Sequence, residues 1–501
     1  MKNVGVIDIG SNSMRLVLIE VGKKNYFRVI DEVKETVRLG MEMTTDGRLN
    51  PIRMEKAVSA LASFKSLCEG LGECNIFPVA TEAVRRASNQ KEFLQMVKST
   101  LNMEIRVLPG AVEAYYDYFG VINSMDFSNG LIMDIGGSST ELIWVKNKKK
   151  KEAISLPFGA INISAQFNLT EKMSSQTEKE LNKYLMAQFR KVAWLEGVKD
   201  LPLIGVGGTV RNIGKISRKT INYPIDRSHN YQMESSEVQT IYDLLKYKNS
   251  EQRKKIKGLS KERSDMFIGG FSVATALMKF CNNPRLIVSG SGLRDGLIYE
   301  ILRGEHVIKD VLESSLNNVI KTLNINKSHA YHVWKLAESL YKQLKPLHKI
   351  NGNAYKILKT AALLNDCGKT INFYSYHKHN FYMITNTPIN GLSHKELILA
   401  AYTMMLSVKE NFDIDNSPYV TLLNEEDKYV IQKLGIILRL AECFDRKRNG
   451  NVTKVECKLS TDCLYLHLIS KGTTEGERKE VEGRGAYFTK VFGKTLKFEY
   501  R

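Results

Sequence analysis

A short pattern that occurs twice narrows the fold of this chain more than any other feature. Val6-Ile7-Asp8-Ile9-Gly10-Ser11-Asn12-Ser13 is answered about 125 residues later by Ile132-Met133-Asp134-Ile135-Gly136-Gly137-Ser138-Ser139. Each copy reads apolar strand, Asp, apolar residue, Gly, small polar residues, then a second apolar strand. Duplication of one such unit predicts two related lobes facing a shared cleft.

The loops in the repeat have a chemistry of their own. Gly lets the backbone approach a ligand closely, and successive N–H groups in such a turn make an anion nest. Ser11, Asn12 and Ser13 in the first copy, and Gly136, Gly137, Ser138 and Ser139 in the second, are therefore candidate phosphate seats. Asp8 and Asp134, at the strand ends, are placed to hold Mg²⁺ or another divalent cation. One loop of this kind is common among tight turns; two in tandem with matched flanks are not. A third loop, Gly205-Val206-Gly207-Gly208-Thr209, and a fourth, Ser289-Gly290-Ser291-Gly292, each follow a strand and precede a helix. That arrangement suits a phosphate.

Around the loops, apolar runs alternate with amphipathic stretches over the first ~300 residues, as an α/β fold requires. Strands are expected at Val4–Ile9, Leu16–Val21, Phe27–Ile30, Ile76–Val79, Ile105–Leu108, Leu131–Ile135, Glu141–Val145, Ala153–Leu156, Leu203–Val206 and Leu286–Ser289, and helices at Met54–Glu69, Lys91–Leu101 and Glu113–Ile122. The basic run Lys146–Lys151 reads as a solvated hairpin tip. Beyond Gly304 long amphipathic stretches take over, and six of the nine histidines lie between His329 and His394. Strand-like alternation returns in Thr453–Tyr500, which predicts a small sheet packed on those helices. The chain thus divides into lobes over residues 1–124 and 125–304 and a mainly helical domain over 305–501.

A net charge of +19 over 501 residues favours polyanionic partners. No nucleic-acid readout module is present, so nucleic acid is not the expected partner. No apolar run reaches the ~18 residues that span a bilayer, and no membrane association is expected. Seven cysteines, scattered and without a CxxC pair, argue against a disulfide framework or zinc cluster. With no signal peptide at the start of the sequence, a reducing, cytoplasmic location is expected.

The two loops join a longer series: Ala80-Thr81-Glu82-Ala83-Val84-Arg85-Arg86-Ala87-Ser88-Asn89, Leu156-Pro157-Phe158-Gly159-Ala160, Gly207-Gly208-Thr209, Glu262-Arg263-Ser264-Asp265 and Ser289-Gly290-Ser291-Gly292-Leu293-Arg294-Asp295-Gly296. Over roughly residues 4–300 the chain resembles the exopolyphosphatase/guanosine pentaphosphate phosphatase family of the sugar kinase/Hsp70/actin superfamily. The resemblance implies an α/β fold of two actin-like (ribonuclease H-like) lobes around a cleft. It implies a catalytic Glu in a Gly-x-Glu-Glu-Ala motif, which here reads Gly110-Ala111-Val112-Glu113-Ala114. Val112 replaces the first Glu, and the role maps to Glu113, which would orient and deprotonate the attacking water. Asp134 and Glu141, with Asp8 as the first lobe's equivalent, would hold the cation; Arg85, Arg263, Gly208 and Thr209 would bind phosphate oxygens. His229 falls near a position the family tends to keep, although a lone loop His is more often structural. The implied reaction is release of orthophosphate from the ends of inorganic polyphosphate, by a homodimer. Hydrolysis of guanosine pentaphosphate to the tetraphosphate is the nearest alternative; a non-catalytic polyphosphate or nucleotide sensor and a kinase of the same superfamily are more distant ones.

In the last domain, His329-Ala330-Tyr331-His332-Val333, Leu364-Asn365-Asp366-Cys367-Gly368-Lys369, His377-Lys378-His379 and Arg439-Leu440-Ala441-Glu442-Cys443-Phe444-Asp445-Arg446 resemble an HD-type phosphohydrolase domain with a small terminal β segment. Asn365 stands where the His of the His-Asp pair belongs, which implies a degenerate scaffold serving as a basic channel or a dimer surface.

Overall fold

The computed structural model describes residues 2–23, 26–44, 46–352, 354–410 and 412–498. It divides into two compact units, 1–309 and 310–501. Gly304 ends a helix with a positive φ of 63°. The next few residues still belong to the first unit, since Ile308 N–H donates to Asn123 Oδ1 at 2.6 Å and Val307 and Ile308 pack into its core.

In the first unit the repeat is written into the sheets. Strands β1 (Lys2–Ile9), β2 (Met14–Val21), β3 (Phe27–Glu35), β4 (Cys74–Ala80) and β5 (Arg106–Val107) form a sheet of order β3-β2-β1-β4-β5. Strands β6 (Gly130–Ile135), β7 (Thr140–Lys146), β8 (Lys149–Leu156), β9 (Leu203–Val206), β10 (Tyr231–Glu234) and β11 (Arg285–Val288) form the second, of order β10-β11-β9-β6-β7-β8. In each, three antiparallel strands in sequence are followed by a parallel neighbour of the first, β4 beside β1 and β9 beside β6. β1 and β6 are buried along most of their length, as strands sandwiched between layers must be.

The expected strands all form. The basic run is the exception in detail: Lys146 ends β7 and Lys149–Lys151 open β8, so the tip is only Asn147-Lys148, with φ of 52° and 61°. Two consecutive left-handed residues make the tight hairpin turn whose twist matches the flanking strands. Lys150 and Lys151 lie over the rings of Tyr115 and Trp144.

One helix contact positions the site. The helix Gly110–Ile122 and the helix Leu293–Arg303 cross at a separation only glycine allows. A Cβ on Gly120 would collide with the Gly292 carbonyl, and one on Gly296 with the Tyr116 carbonyl. The crossing draws the last turn of the first helix against the Gly-rich loop that opens the second, and Tyr116 Oη seals it with a 2.7 Å bond to Glu300.

The second unit is mainly helical, with Lys327–Gln343, Ala354–Leu364, His394–Val408 and Glu425–Phe444 as its longer or more buried helices. Strands β12 (Val452–Leu459), β13 (Cys463–Ser470) and β14 (Thr495–Phe498) form its small sheet. The helices Glu475–Glu482 and Gly485–Phe492 interrupt the strand-like segment read from Thr453 onward. Tyr500, its predicted end, lies outside the described residues. All seven cysteines are free thiols, and among the described residues no helix is long and apolar enough to cross a membrane.

Candidate active site

The two repeat loops and the third and fourth Gly-rich loops converge on one cleft in the first unit. Of the residues expected there, Asp8, Ser11, Asn12, Ser13, Glu113, Asp134, Gly136, Gly137, Ser139, Gly208 and Arg263 line it. The two repeat loops close alike, with Gly10 N–H donating to Ser13 O at 3.3 Å and Gly136 N–H to Ser139 O at 3.0 Å. Asn12 is buried, yet neither its Oδ1 nor its Nδ2 has a partner in the protein. A buried amide left open costs ~1–3 kcal/mol unless something binds it, so this one points to a ligand.

The seven-residue spacing places Asp134 directly opposite Glu141 on β6 and β7, on one face of the sheet. The same spacing in the first lobe pairs Asp8 with Arg15. The repeat is therefore symmetric in backbone and opposite in charge: one lobe sets an acid beside its Asp, the other a guanidinium. Arg15 lines the cleft with Arg211, Arg263 and Arg294. Burial, and then the charge of neighbouring arginines, pushes Arg15 and Arg263 down to about 10, and burial lowers Arg211 too. Guanidinium groups crowded against one another in this way favour an anion between them. Glu32 on β3 steadies two of them, Arg294 at 2.7 Å and Arg15 at 3.4 Å.

Four expectations need correction. Arg85 is off the cleft wall: its guanidinium is taken by Glu113 Oε2 at 2.8 Å, by Glu82 and by the Leu108 carbonyl, so it holds the candidate base and not a phosphate. Glu141 is only 1% exposed and accepts from Ser155 Oγ at 2.7 Å, beside Asp134 on the next strand but off the cleft wall. Ser138 is buried against Gly40. Thr209, in the first turn of the helix Gly207–Thr220, turns its hydroxyl toward Gly270 instead of the cleft. His229 is half-buried beside the fourth loop. Gly290 N–H donates to its Nδ1 at 3.1 Å and its Nε2 faces Ser124 O at 3.2 Å, so the neutral ring, pushed by burial to about 4, braces the fourth loop.

Glu113 sits in the first turn of its helix, 8% exposed. Burial raises its carboxyl to about 7, against the opposing pull of Arg85. Burial likewise raises Asp8 and Asp134, and lifts Glu141 well above the usual range. One turn beyond Glu113, Asp117 is fully buried, and as a carboxylate it finds no donor. Burial, and then the charges of Asp134, Glu141 and Glu113, push its pKa well above the usual carboxylate range. The sequence offered a signal for this residue: it is the lone acid between Ala114 and Ile122 in an otherwise apolar helix.

A folded state that keeps a proton the unfolded chain releases loses stability as pH rises from the unfolded value toward the folded one. Stability is therefore expected to fall from pH 5 to pH 8. Asp117→Asn should remove part of that slope and raise the melting temperature at pH 8 by a few degrees; equal slopes for the variant and the parent chain would refute the assignment.

Gly207 makes the close packing of these groups workable. Its φ is +87°, and a Cβ there would strike the Asp134 carboxylate. Gly207→Ala is expected to cost about 1–3 kcal/mol of stability and, by displacing Asp134, at least tenfold in activity. A variant with unchanged melting temperature and rate would show that the loop yields freely.

The model of the Ppx/GppA phosphatase family matches residues 6–305, and that of Ppx/GppA phosphatase domain III matches 311–476. The chain is 26% identical over 477 residues to the guanosine-5′-triphosphate,3′-diphosphate pyrophosphatase of Aeromonas hydrophila subsp. hydrophila, covering 93% of this chain and 92% of the relative. An Aquifex aeolicus member of the Ppx/GppA family is similar in structure at 29% identity and a TM-score of 0.52, covering 61% of this chain and 99% of that one. An exopolyphosphatase from Cytophaga hutchinsonii shares the fold at 22% identity and a TM-score of 0.58, over 61% of this chain and 99% of its own.

Proposed function

The chain belongs to the Ppx/GppA phosphatase family, and from that membership we propose that it is an exopolyphosphatase, releasing orthophosphate from the ends of inorganic polyphosphate with the help of a divalent cation, Mg²⁺ by preference. The observation that carries the reading is the composition of the cleft wall. Four arginines and the small polar residues of the Gly-rich loops face the cleft, and among the described residues none lining it is aromatic. A phosphate chain needs charge and N–H donors along its length; a guanine base is usually held against an aromatic ring, and no ring lines that wall.

The residues present fit a hard cation. Asp8 and Asp134 offer only oxygen, and burial disfavours their ionised forms unless positive charge stands nearby. Asp134 and Asp8 would hold the ion, with Glu141 supporting Asp134 from the next strand. When bound, it would neutralise charge on the phosphate oxygens. Arg15, Arg211, Arg263 and Arg294 would share that task, and Asn12, Ser13 and the loop N–H groups would fix the terminal phosphate. Glu113, kept in place by Arg85, takes a proton from the water that attacks the terminal phosphorus. The bond to the bridging oxygen breaks, and the shortened chain leaves with that oxygen.

A second reading rests on one finding: the relative matched along nearly the whole chain is named as a guanosine-5′-triphosphate,3′-diphosphate pyrophosphatase. Phosphate release from long-chain polyphosphate and from guanosine pentaphosphate, measured side by side with Mg²⁺, separates the two. Polyphosphate is expected to be the better substrate by tenfold or more in kcat/KM. Release from the nucleotide alone would move the protein to the second reading, and release from neither would put both aside.

A further inference from the structure

The helices Lys327–Gln343, Ala354–Leu364 and Glu425–Phe444 of the second unit bring three potential metal ligands together, at or just beyond their ends. One ligand atom each from His329, Asp366 and Glu442 lie within 4.8 Å of one another, and among the described residues no other group of three such side chains converges this closely. We infer that the second unit carries a divalent-metal site of its own, with His329 Nε2, Asp366 and Glu442 as ligands and Asp445 as the residue that aims the imidazole.

The His329 ring decides the matter. It is 5% exposed, and its Nδ1 is bonded to Asp445 Oδ2 at 2.7 Å. Asp445 is fixed in turn by Gly450 N–H at 2.9 Å. A carboxylate on one ring nitrogen leaves the other with its lone pair outward, which is how a metal-binding His is oriented. Nε2 has no hydrogen-bond partner, although it is buried. It points between Glu442 Oε2 at 3.7 Å and Asp366 Oδ2 at 3.8 Å. Those separations are too long for hydrogen bonds. They are near the ~3.0–3.5 Å that separates two ligands each ~2.1 Å from a shared ion.

Charge points the same way. Three carboxylates surround the ring, and Lys369 and Arg448 balance only Asp366, Lys369 on its Oδ1 and Arg448 on the Oδ2 that also faces the ring. The centre of the cluster therefore calls for positive charge. One nitrogen and two carboxylates suit Mn²⁺, Fe²⁺ or Zn²⁺ better than Mg²⁺. Asn365 is no obstacle on this reading: its Oδ1 faces Ser407 Oγ at 3.4 Å, away from the cluster, and Glu442 supplies the third ligand.

The test is the metal content of the full-length chain, produced with Mn²⁺, Fe²⁺ and Zn²⁺ supplied and then desalted into Mg²⁺ buffer. About one equivalent of a transition metal is expected in the parent chain and in Asp134→Asn, falling at least tenfold in His329→Ala and in Glu442→Gln. Glu442 makes only the long contact to the ring, so its Gln variant should fold even if His329→Ala does not. A metal-free parent chain, metal retained by both His329→Ala and Glu442→Gln, or loss confined to Asp134→Asn would each overturn the assignment. So would an imidazole NMR spectrum showing His329 protonated on both nitrogens in the metal-supplied protein.

Discussion

Glu113→Gln is expected to lower phosphate release by roughly 10²–10⁴-fold, the usual contribution of a positioned general base, while leaving the fold intact. The amide keeps the volume and one acceptor for Arg85, and Arg85 retains Glu82 and the Leu108 carbonyl. Stability should change little, and substrate binding should survive, since the arginines of the cleft are untouched. The parent enzyme should also show the base in its pH profile. Burial raises Glu113 to about 7, and a base works only when ionised. The rate should therefore climb through pH 6–7 and level off above, and the residual activity of the Gln variant should lack that inflection. Single-turnover rates across pH 5.5–8.5, with binding measured in parallel, check both points. A variant within about tenfold of the parent, or one that keeps the inflection, would remove Glu113 from the mechanism.

The second large effect is expected at Asp134. Metal coordination at a phosphoryl group is worth several kcal/mol, so Asp134→Asn should cost on the order of 10³-fold in rate and raise the Mg²⁺ concentration needed for half-maximal activity. Glu141→Gln should do less, because Glu141 stands off the wall and already accepts from Ser155. The contrast matters because the two residues are cross-strand partners and look interchangeable on paper. Titration of activity against Mg²⁺ for both variants decides it. Equal losses would make Glu141 a direct ligand, and an unchanged Mg²⁺ dependence in Asp134→Asn would move the cation elsewhere.

How far the site was legible follows the range of the interactions involved. Residues that line the cleft through their own loop were found from sequence: Asp8, Ser11, Asn12, Ser13, Asp134, Gly136, Gly137 and Ser139 all face it. Arg15 was within reach too, since it occupies in the first repeat the position of Glu141 in the second. Arg294 lay inside a quoted motif. Arg85 was misread because a basic residue beside a phosphate loop and one that pins a catalytic carboxylate have the same local sequence. Which it is depends on Glu113, brought up from a helix 28 residues further on.

Local sequence determined the duplicated strand–loop–strand unit and the change to helices after the second lobe. Both follow from short-range periodicity, since side chains alternate along a strand and recur every three to four residues on a helix. Tertiary contacts alone set which side of each loop meets the cleft, why Asp117 is buried beside other acids, and that His329, Asp366 and Glu442 meet at all. Those outcomes depend on burial and on helices crossing at Gly120 and Gly296, contacts between residues far apart in sequence. No local pattern encodes how much water such a meeting excludes, and that exclusion sets the pKa values and the charge a site must recruit.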